Sequence, residues 1–247
     1  MEKICVITGG TSGIGKCTAE AMVKKGYTVY ELSRREAGNP GMYHIPTDVT
    51  DPEACQRAID AVYSQAGRID VMINNAGFGV CGSILETEEA REEEMIQVNV
   101  AAMARLFRAV VRKMHAQGGG TILNVASSAG LLPGGPYMAG YYASKAYVVS
   151  LTRGAAQELR EERSPVYVCA LCPGPVNTEF NDRAGVVFAL KGITPEFCVD
   201  EAIHGMLHHK TIIVPSAFMR LCTSAQKLLP TPLLMPIVAR QQKKKLG

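Results

Sequence analysis

The start of the chain constrains the fold most, because residues 4–32 predict a strand, a glycine-rich turn, a helix and a second strand. Residues 4–7 (ICVI) are a short apolar run of β-forming side chains that ends in glycines. Residues 13–25 suit a helix, Gly26 ends it, and residues 27–32 predict the next strand. This order is a βαβ unit, in which the two strands run parallel and the helix crosses one face of their sheet.

The same alternation continues along the rest of the chain. Further strands are predicted at 41–45, 71–73, 121–125, 166–171 and 211–214, and helices at 51–66, 88–116, 139–162 and 195–208. Parallel strands joined by helical crossovers need helices on both faces of their sheet. We therefore predict an α/β fold, a single-domain doubly wound parallel sheet.

The composition limits the classes of protein to which the chain belongs. Its 247 residues fit one hydrophobic core, and 47% apolar with 20% charged residues exclude a mainly disordered chain. The net charge is only +3, so we expect no nucleic-acid partner. No uninterrupted apolar stretch approaches the roughly 20 residues that span a bilayer.

The cysteines indicate a reducing compartment. Eight of them are scattered along the sequence and no segment resembles a signal peptide, which predicts reduced thiols and a cytoplasmic location. Cys169 and Cys172 form a C-x-x-C pair inside an apolar run, but no second pair completes a zinc site. We interpret both as buried cysteines at the end of a strand, and we expect no metal site.

The turn after the first strand, residues 8–15 (TGGTSGIG), is typical of a phosphate-binding loop. Its glycines permit positive φ and a close approach of the main chain to a phosphate, and the N–H groups at the start of the helix bind the anion. An alternative alignment over 10–17 matches the P-loop pattern except that Cys17 stands where Ser or Thr would bind magnesium. A glycine-rich turn without a ligand is the second alternative.

The sequence resembles the short-chain dehydrogenase/reductase family over residues 4–215. The family's motifs occur in order, and they are T-G-x-x-x-G-x-G at 8–15, Asn-Asn-Ala-Gly at 74–77, Asn99, Ser128, Tyr141 with Lys145, and Pro173-Gly174. The resemblance implies a Rossmann fold and an oxidoreductase that uses a nicotinamide dinucleotide.

The end of the second predicted strand indicates which dinucleotide binds. Ser33 takes the place where NAD-preferring members of the family carry Asp, and Arg34 follows it. Because a guanidinium grips a 2′-phosphate with two donors, we predict NADP(H). Glu31 would favour NAD instead if the strand ended two residues earlier.

The resemblance extends the predicted cofactor site to several other loops. Asp48 and Val49 correspond to a pair that contacts the adenine, although an aspartate at position 48 is, by itself, more often a helix cap. The loop at 173–178 corresponds to the segment that holds the nicotinamide amide. The full set of predicted cofactor-binding residues is Gly9, Thr11, Ser12, Gly13, Ile14, Gly15, Ser33, Arg34, Asp48, Val49, Asn75, Ala76, Gly77, Tyr141, Lys145, Pro173, Gly174, Val176 and Thr178.

Tyr141 and Lys145 are the candidates for proton transfer. They are four residues apart on a predicted helix and share one face, so we expect the ammonium to favour the phenolate and lower the pKa of the tyrosine. Hydride transfer to a ketone develops negative charge on the carbonyl oxygen, which a phenol stabilises by donating its proton. The neighbouring Tyr142 and Tyr137 have no lysine four residues on.

The resemblance supplies two more members of a catalytic tetrad. In the family's S-S-x-x-G arrangement the second serine is catalytic, which points to Ser128 and leaves Ser127 as a strand-end residue. Asn99 corresponds to the residue whose main-chain carbonyl holds a water that extends the proton relay from Lys145. A buried asparagine with satisfied hydrogen bonds is the alternative for Asn99.

These residues predict an NADP(H)-dependent oxidoreductase that interconverts a ketone and a secondary alcohol. Segments near 78–84, 131–138 and 181–193 are Gly-rich or apolar, so we expect a hydrophobic substrate, hydroxysteroid-like or lipid-like, under a lid near 180–193. The alternative is a redox-sensing regulatory protein that binds NADPH without turnover, although such a protein would not need all four catalytic residues.

The predicted organisation is a Rossmann-type catalytic domain over 1–215 and a C-terminal extension of the same domain over 216–247. The extension is apolar, is punctuated by prolines and carries three lysines at 243–245. We expect it to line the pocket or to pack on another subunit, in preference to touching an anionic membrane. The resemblance implies a homodimer or homotetramer that pairs through the helices at 88–116 and 139–162.

Overall fold

The computed structural model describes residues 2–36, 41–179 and 192–243, which form a parallel sheet between two layers of helices. Most of the predicted lid at 180–193, together with Lys244 and Lys245, lies outside the described residues.

The strands and helices alternate along the chain as predicted. The strands are β1 (Lys3–Thr8), β2 (Tyr27–Ser33), β3 (Met42–Pro46), β4 (Val71–Asn74), β5 (Gly120–Val125), β6 (Val166–Leu171) and β7 (Ile212–Ile213). The α-helices are α1 (Gly13–Lys24), α2 (Pro52–Ala66), α3 (Glu89–Ile96), α4 (Met103–Ala116), α5 (Ala139–Glu161), α6 (Pro195–Leu207), α7 (Ala217–Ala225) and α8 (Thr231–Lys243).

The strand order confirms a doubly wound sheet. The order is β3-β2-β1-β4-β5-β6-β7 and neighbouring strands run parallel. The chain therefore winds outward from β1 in one direction and from β4 in the other, so these two strands meet at the point where the strand order reverses. In sheets of this kind ligands bind at that reversal, beyond the carboxyl ends of the strands.

Alternate side chains of each strand enter different cores, as period-2 geometry requires. Ile4 and Val6 of β1 are buried in a core with side chains of α2, α4 and α5. Cys5 and Ile7, on the opposite face, are buried with side chains of α1 and α6. Both faces of the sheet are thus covered, which explains why its central strands are apolar throughout rather than alternating with polar residues.

The helix predicted at 88–116 contains an irregular turn. The segment Gln97–Ala102 has π-helical hydrogen bonding between α3 and α4. A π turn inserts one extra residue per turn and is frequent at functional sites. Asn99 lies within this turn, so the irregularity falls on a predicted site residue.

The C-terminal extension forms the helix pair α7 and α8, joined by a 3₁₀ turn at Gln226–Leu228. Among the described residues, none of the helices is both long enough and apolar enough to cross a membrane. Cys169 and Cys172 are buried at the end of β6, where burial raises the pKa of each thiol to about 12.

Candidate active site

A cleft of about 540 Å³ opens at the carboxyl ends of the strands, across the reversal between β1 and β4. Its walls come from the loops that follow β1, β2, β3, β4, β5 and β6, and from the first turns of α1 and α5. Residues far apart in sequence converge here because every parallel strand ends at this same edge.

The glycine loop after β1 has the backbone geometry that its sequence predicts. Gly9 and Gly13 adopt positive φ, at 65° and 53°. A Cβ on Gly15 would lie 2.2 Å from the Gly9 carbonyl oxygen, so only glycine permits this turn. Ser12 precedes α1 but its side chain makes no capping hydrogen bond, which leaves the amide groups of the first turn directed at the cleft.

Asn75 and Thr8 hold this loop against the end of β4. The Asn75 side-chain amide donates to the carbonyl oxygens of Thr8 and Gly9, at 3.1 and 2.9 Å. In return the Thr8 hydroxyl accepts from the backbone N–H groups of Asn75 and Ala76, each at 3.0 Å. Asn75 and Thr8 therefore clamp the ends of the two central strands together.

The structure places all of the predicted cofactor-binding residues around the one cleft. From the β1 side these are Gly9, Thr11, Ser12, Gly13, Ile14 and Gly15. From the loops after β2, β3 and β4 they are Ser33, Arg34, Asp48, Val49, Asn75, Ala76 and Gly77. From α5 and the loop after β6 they are Tyr141, Lys145, Pro173, Gly174, Val176 and Thr178. These are the residues that would hold a dinucleotide.

Glu31 serves the fold rather than a ligand. It is buried in β2, and its carboxylate accepts from Gly10 N at 2.9 Å and from Ser33 Oγ at 3.0 Å. The same carboxylate lies 2.7 Å from His44 Nδ1 on β3. These three groups occupy the carboxylate oxygens, and β2 continues to Ser33. Glu31 is therefore not placed to accept a hydrogen bond from a ribose hydroxyl. The sequence did not single out this link between β2, β3 and the glycine loop.

Arg34 and Asp48 stand at the end of the cleft beside β2. Arg34 is exposed, and its charge helps to lower the pKa of Asp48. The larger cause of that lowered pKa is the hydrogen bond from the Thr50 hydroxyl, at 2.7 Å, to the Asp48 carboxylate. The cap of α2 is Asp51, which accepts from Glu53 N, so Asp48 does not serve as its N-cap.

Ser127, not Ser128, contacts the predicted acid, and this corrects the sequence prediction. A hydrogen bond from the Ser127 hydroxyl to the Tyr141 oxygen helps to lower the pKa of the phenol. Ser128 begins a 3₁₀ turn, and its backbone N–H donates to the Pro173 carbonyl. The motif has the catalytic serine three residues before its glycine, and counting back from Gly130 gives Ser127. That count would have identified the residue.

Lys145 is buried beneath the tyrosine. Its ammonium donates to the Val125 carbonyl at 2.9 Å and lies 5.9 Å from the centroid of the Tyr141 ring. Burial lowers the pKa of Lys145 to about 8, because the charged form loses solvation. Lys145 therefore stays protonated at neutral pH by a narrow margin.

The expected fall in the pKa of Tyr141 is wrong for this structure. Burial raises the pKa to about 12, and the hydrogen bond from Ser127 offsets only part of that rise. Burial removes solvent from the phenolate, and this desolvation outweighs the stabilisation that the phenolate receives from its neighbours. Tyr141 is consequently a neutral proton donor at neutral pH.

Asn99 lies behind the cleft, outside its lining. Its side-chain amide donates to the Phe78 carbonyl at 2.8 Å and to Ser144 Oγ at 3.1 Å, and its oxygen accepts from Phe78 N at 3.1 Å. A Cβ on Gly77 would lie 2.9 Å from the Asn99 oxygen and 3.3 Å from the Lys145 nitrogen. Asn99 thus fixes the loop after β4 beside Lys145.

The substrate end of the cleft contains residues that the sequence did not single out. The Gln242 amide of α8 donates to the Tyr142 hydroxyl, which ties the C-terminal extension to the cleft wall. Arg91 lies 4.9 Å from the Phe78 ring and pairs with Glu94 at 2.6 Å. Two of the predicted substrate segments meet through a hydrogen bond from Gly82 N to the Tyr137 carbonyl.

The glycine geometry predicts a specific loss of dinucleotide binding. We expect Gly15→Ala to weaken binding of a nicotinamide dinucleotide by about tenfold or more, because the new methyl would displace the Gly9 carbonyl and the Asn75 amide. Fluorescence titrations with NADH and with NADPH measure the change. Gly154→Ala on α5 is the matched control, since a Cβ there meets nothing within 4 Å. A folded Gly15→Ala protein with unchanged affinity would contradict the assignment.

The comparisons with known proteins agree on one family. The family model described as short chain dehydrogenase matches residues 3–185. The 3-ketodihydrosphingosine reductase of Bacteroides thetaiotaomicron is 35% identical over 186 residues, which cover 74% of this chain and 68% of that protein.

Solved structures share the fold. A short-chain dehydrogenase/reductase from Burkholderia phymatum, in complex with NAD, has a TM-score of 0.82 and 25% identity, covering 94% of this chain and 96% of its own. ElxO with NADP bound has a TM-score of 0.76 and 25% identity, with 87% and 97% covered. The chain belongs to the short-chain dehydrogenase/reductase family of oxidoreductases.

Proposed function

We propose that this oxidoreductase reduces a hydrophobic ketone to a secondary alcohol with NADPH. The observation that carries the proposal is the position of Tyr141, which is buried, contacts Ser127 and lies in the same cleft as the glycine loop. Burial raises the pKa of Tyr141, which favours its neutral form. A neutral phenol is the form that donates a proton to a developing alkoxide.

The described residues fit a nicotinamide dinucleotide. The positive-φ glycines and the amide groups at the start of α1 form a cradle that a pyrophosphate fills. When bound, the reduced cofactor supplies the hydride. The chain's own residues do the rest: Ser127 holds the carbonyl oxygen and Tyr141 donates its proton to that oxygen. Lys145 would hold the cofactor through its ammonium.

The raised pKa of Tyr141 supports the reductive direction. With that pKa raised to about 12 by burial, the phenol is protonated across the physiological range. Oxidation of an alcohol would need the phenolate as a base, which burial disfavours. The positive charge of an oxidised nicotinamide would help the phenolate form, so the reverse reaction remains accessible when that form is bound.

The preference for NADP(H) rests on the end of β2. Glu31 is occupied by Gly10, Ser33 and His44, so the corner presents no free carboxylate from β2 to a ribose 2′-hydroxyl. The exposed Arg34 offers a guanidinium instead, which suits a 2′-phosphate. One of the solved relatives has NAD bound and another has NADP bound. The proposed preference for NADP(H) therefore depends on the residues at the end of β2.

A lipid-like ketone is the proposed substrate. The relative that is 35% identical is named for the reduction of 3-ketodihydrosphingosine, a ketone on a long alkyl chain. In this chain the substrate end of the cleft is lined by Phe78, Met138 and Tyr142, which suit an apolar group.

Removing the phenolic hydroxyl should abolish the reaction. We expect Tyr141→Phe to lower kcat by about 10³-fold, within the range that a positioned acid contributes, with NADPH affinity nearly unchanged. Loss of reduced-nicotinamide absorbance against a panel of long-chain and cyclic ketones gives the rates. Rates in the mutant within a few-fold of the wild type would refute the proposed acid. A wild-type protein that binds NADPH but reduces no ketone would favour the redox-sensing alternative.

The two adjacent serines provide a matched pair of variants. We expect Ser127→Ala to lower kcat by about 10²-fold, because the carbonyl oxygen loses a hydrogen bond that strengthens in the transition state. Ser128→Ala should have a much smaller effect, since the contact with Tyr141 belongs to Ser127. Steady-state kinetics of both variants compare them, and the reverse ranking would restore the assignment to Ser128.

Arg34 should set the cofactor preference. We expect Arg34→Ala to weaken NADPH binding by about tenfold and to leave NADH binding unchanged, because only the 2′-phosphate needs the guanidinium. The ratio of kcat/KM for the two cofactors measures this selectivity. Arg57→Ala, at an exposed arginine of α2 that does not line the cleft, is the control. If Arg34→Ala keeps the wild-type ratio, the NADP(H) assignment is wrong.

A further inference from the structure

We propose that α7, α8 and the turn between them dock on the surface of an anionic lipid bilayer. The solvent-exposed side chains of residues 217–243 are called the tail surface below. The inference goes beyond the proposed reaction, because docking requires no particular ketone. It also reverses the expectation from sequence that the extension packs on the protein in preference to a membrane.

The C-terminal part of the chain carries basic residues but no acidic ones. No Asp or Glu follows Glu201, whereas seven Lys and Arg do. Residues 202–247 therefore carry a formal charge of +7, while residues 1–201 carry −4. Arg220 pairs with Glu201 at 3.1 Å, but in the part of the chain that the structure describes no ion pair neutralises Lys227 or Arg240. A segment of this composition is attracted to anionic lipid headgroups.

The tail surface is also apolar. Its exposed large side chains are Phe218, Leu221, Leu228, Leu229, Leu233 and Ile237. Leu228 is 86% exposed, Leu221 67% and Leu233 62%. Single exposed leucines are ordinary, but six large apolar side chains within 20 residues mark an interaction surface.

Each helix has a second apolar face that already packs on the protein. In α7, Thr223 is buried and Met219 contacts Gly174, whereas Phe218 and Leu221 are exposed. In α8, Leu234 and Val238 are buried, whereas Leu233 and Ile237 are exposed, and Arg240 follows on the same stripe. The outer faces therefore do not hold the helices to the core. An apolar stripe beside lysine and arginine is the pattern of a helix that lies in a membrane interface.

A bilayer fits this surface better than a second copy of the chain does. In a dimer with twofold symmetry, the tail surface of one subunit would face the tail surface of the other. Lys227 and Arg240 would then approach the same residues of the second subunit. Like charges near an apolar contact oppose such pairing. An anionic bilayer provides complementary charge at the headgroups and apolar volume beneath them.

The tail surface adjoins the substrate end of the cleft. Met219 of α7 packs on Gly174, and Gln242 of α8 donates to Tyr142, and both contacted residues line the cleft. The exposed Ile84 and Leu85 follow Gly82, whose N–H donates a hydrogen bond to the Tyr137 carbonyl. The ring of Tyr137 lies 5.7 Å from Lys243 Nζ of α8. Docking would bring the mouth of the cleft to the bilayer, from which a lipid-like ketone could enter.

Vesicle flotation of the full chain, without substrate, tests the proposal. The two probes are vesicles of phosphatidylcholine alone and of phosphatidylcholine with about one third phosphatidylglycerol. We expect the wild type to float with the anionic vesicles, to bind the neutral ones at least about tenfold more weakly, and to be released in part by salt. Leu233→Ser with Ile237→Ser, and separately Lys227→Glu with Arg240→Glu, should each reduce the partition coefficient by about tenfold or more.

The controls lie on β3, the edge strand opposite β7, and on α2, which follows it in the chain. Tyr43→Ser on β3 and Arg57→Glu on α2 change an exposed apolar and an exposed basic residue, and both should leave vesicle binding unchanged. All of these positions are exposed, and far-UV circular dichroism checks that each variant is folded. Equal binding to neutral vesicles, equal losses in the controls, or no binding at all would overturn the proposal. So would sedimentation showing that the tail variants dissociate an oligomer while vesicle binding is absent. Ketone reduction is measured separately, so its failure is distinguishable from failure of docking.

Discussion

The clamp between β1 and β4 is the constraint on which the site depends. Asn75 donates to the Thr8 and Gly9 carbonyls, and Thr8 accepts from the two amides that follow β4. These bonds fix the ends of the two strands from which the sheet winds in opposite directions. The glycine loop, which places the first amides of α1 in the cleft, packs so closely on this clamp that a side chain on Gly15 would overlap Asn75 and Gly9.

Burial decides the chemistry at the other end of the cleft. Tyr141 and Lys145 both lie almost entirely out of solvent, and burial favours the neutral form of each. The tyrosine therefore keeps its proton, while the pKa of the lysine falls toward neutral pH. Ser127 is the neighbour that partly offsets this effect on the phenol. A proton donor held in this state is prepared to protonate an oxygen that gains charge.

Much of the fold was predictable from the sequence, because strand and helix periodicities were clear and glycines marked the turns. β6 matches the expected 166–171, and α1 begins at the expected Gly13. The sequence did not predict the π turn around Asn99, since periodicity over 88–116 has no signal for one inserted residue. Glu31 was ambiguous because its partners, Gly10 and His44, come from other elements.

The errors in the candidate site have a similar origin. The sequence places two serines side by side, but only the fold determines that the end of β5 turns Ser127 toward Tyr141. Helical spacing places Lys145 near Tyr141 but does not encode burial, which raises the pKa of the phenol. The exposed outer faces of α7 and α8 were also hidden, since a sequence shows that a residue is apolar without showing whether the core has room for it.

A crystal structure of the protein with NADPH and a ketone that is reduced slowly would test the proposed chemistry best. We expect the pyrophosphate on the glycine loop and the carbonyl oxygen within hydrogen-bonding distance of both Tyr141 Oη and Ser127 Oγ. We also expect the carbonyl carbon about 3–3.5 Å from the nicotinamide carbon that donates the hydride. A bound nicotinamide directed away from Tyr141, with the carbonyl held by other residues, would contradict the proposed chemistry.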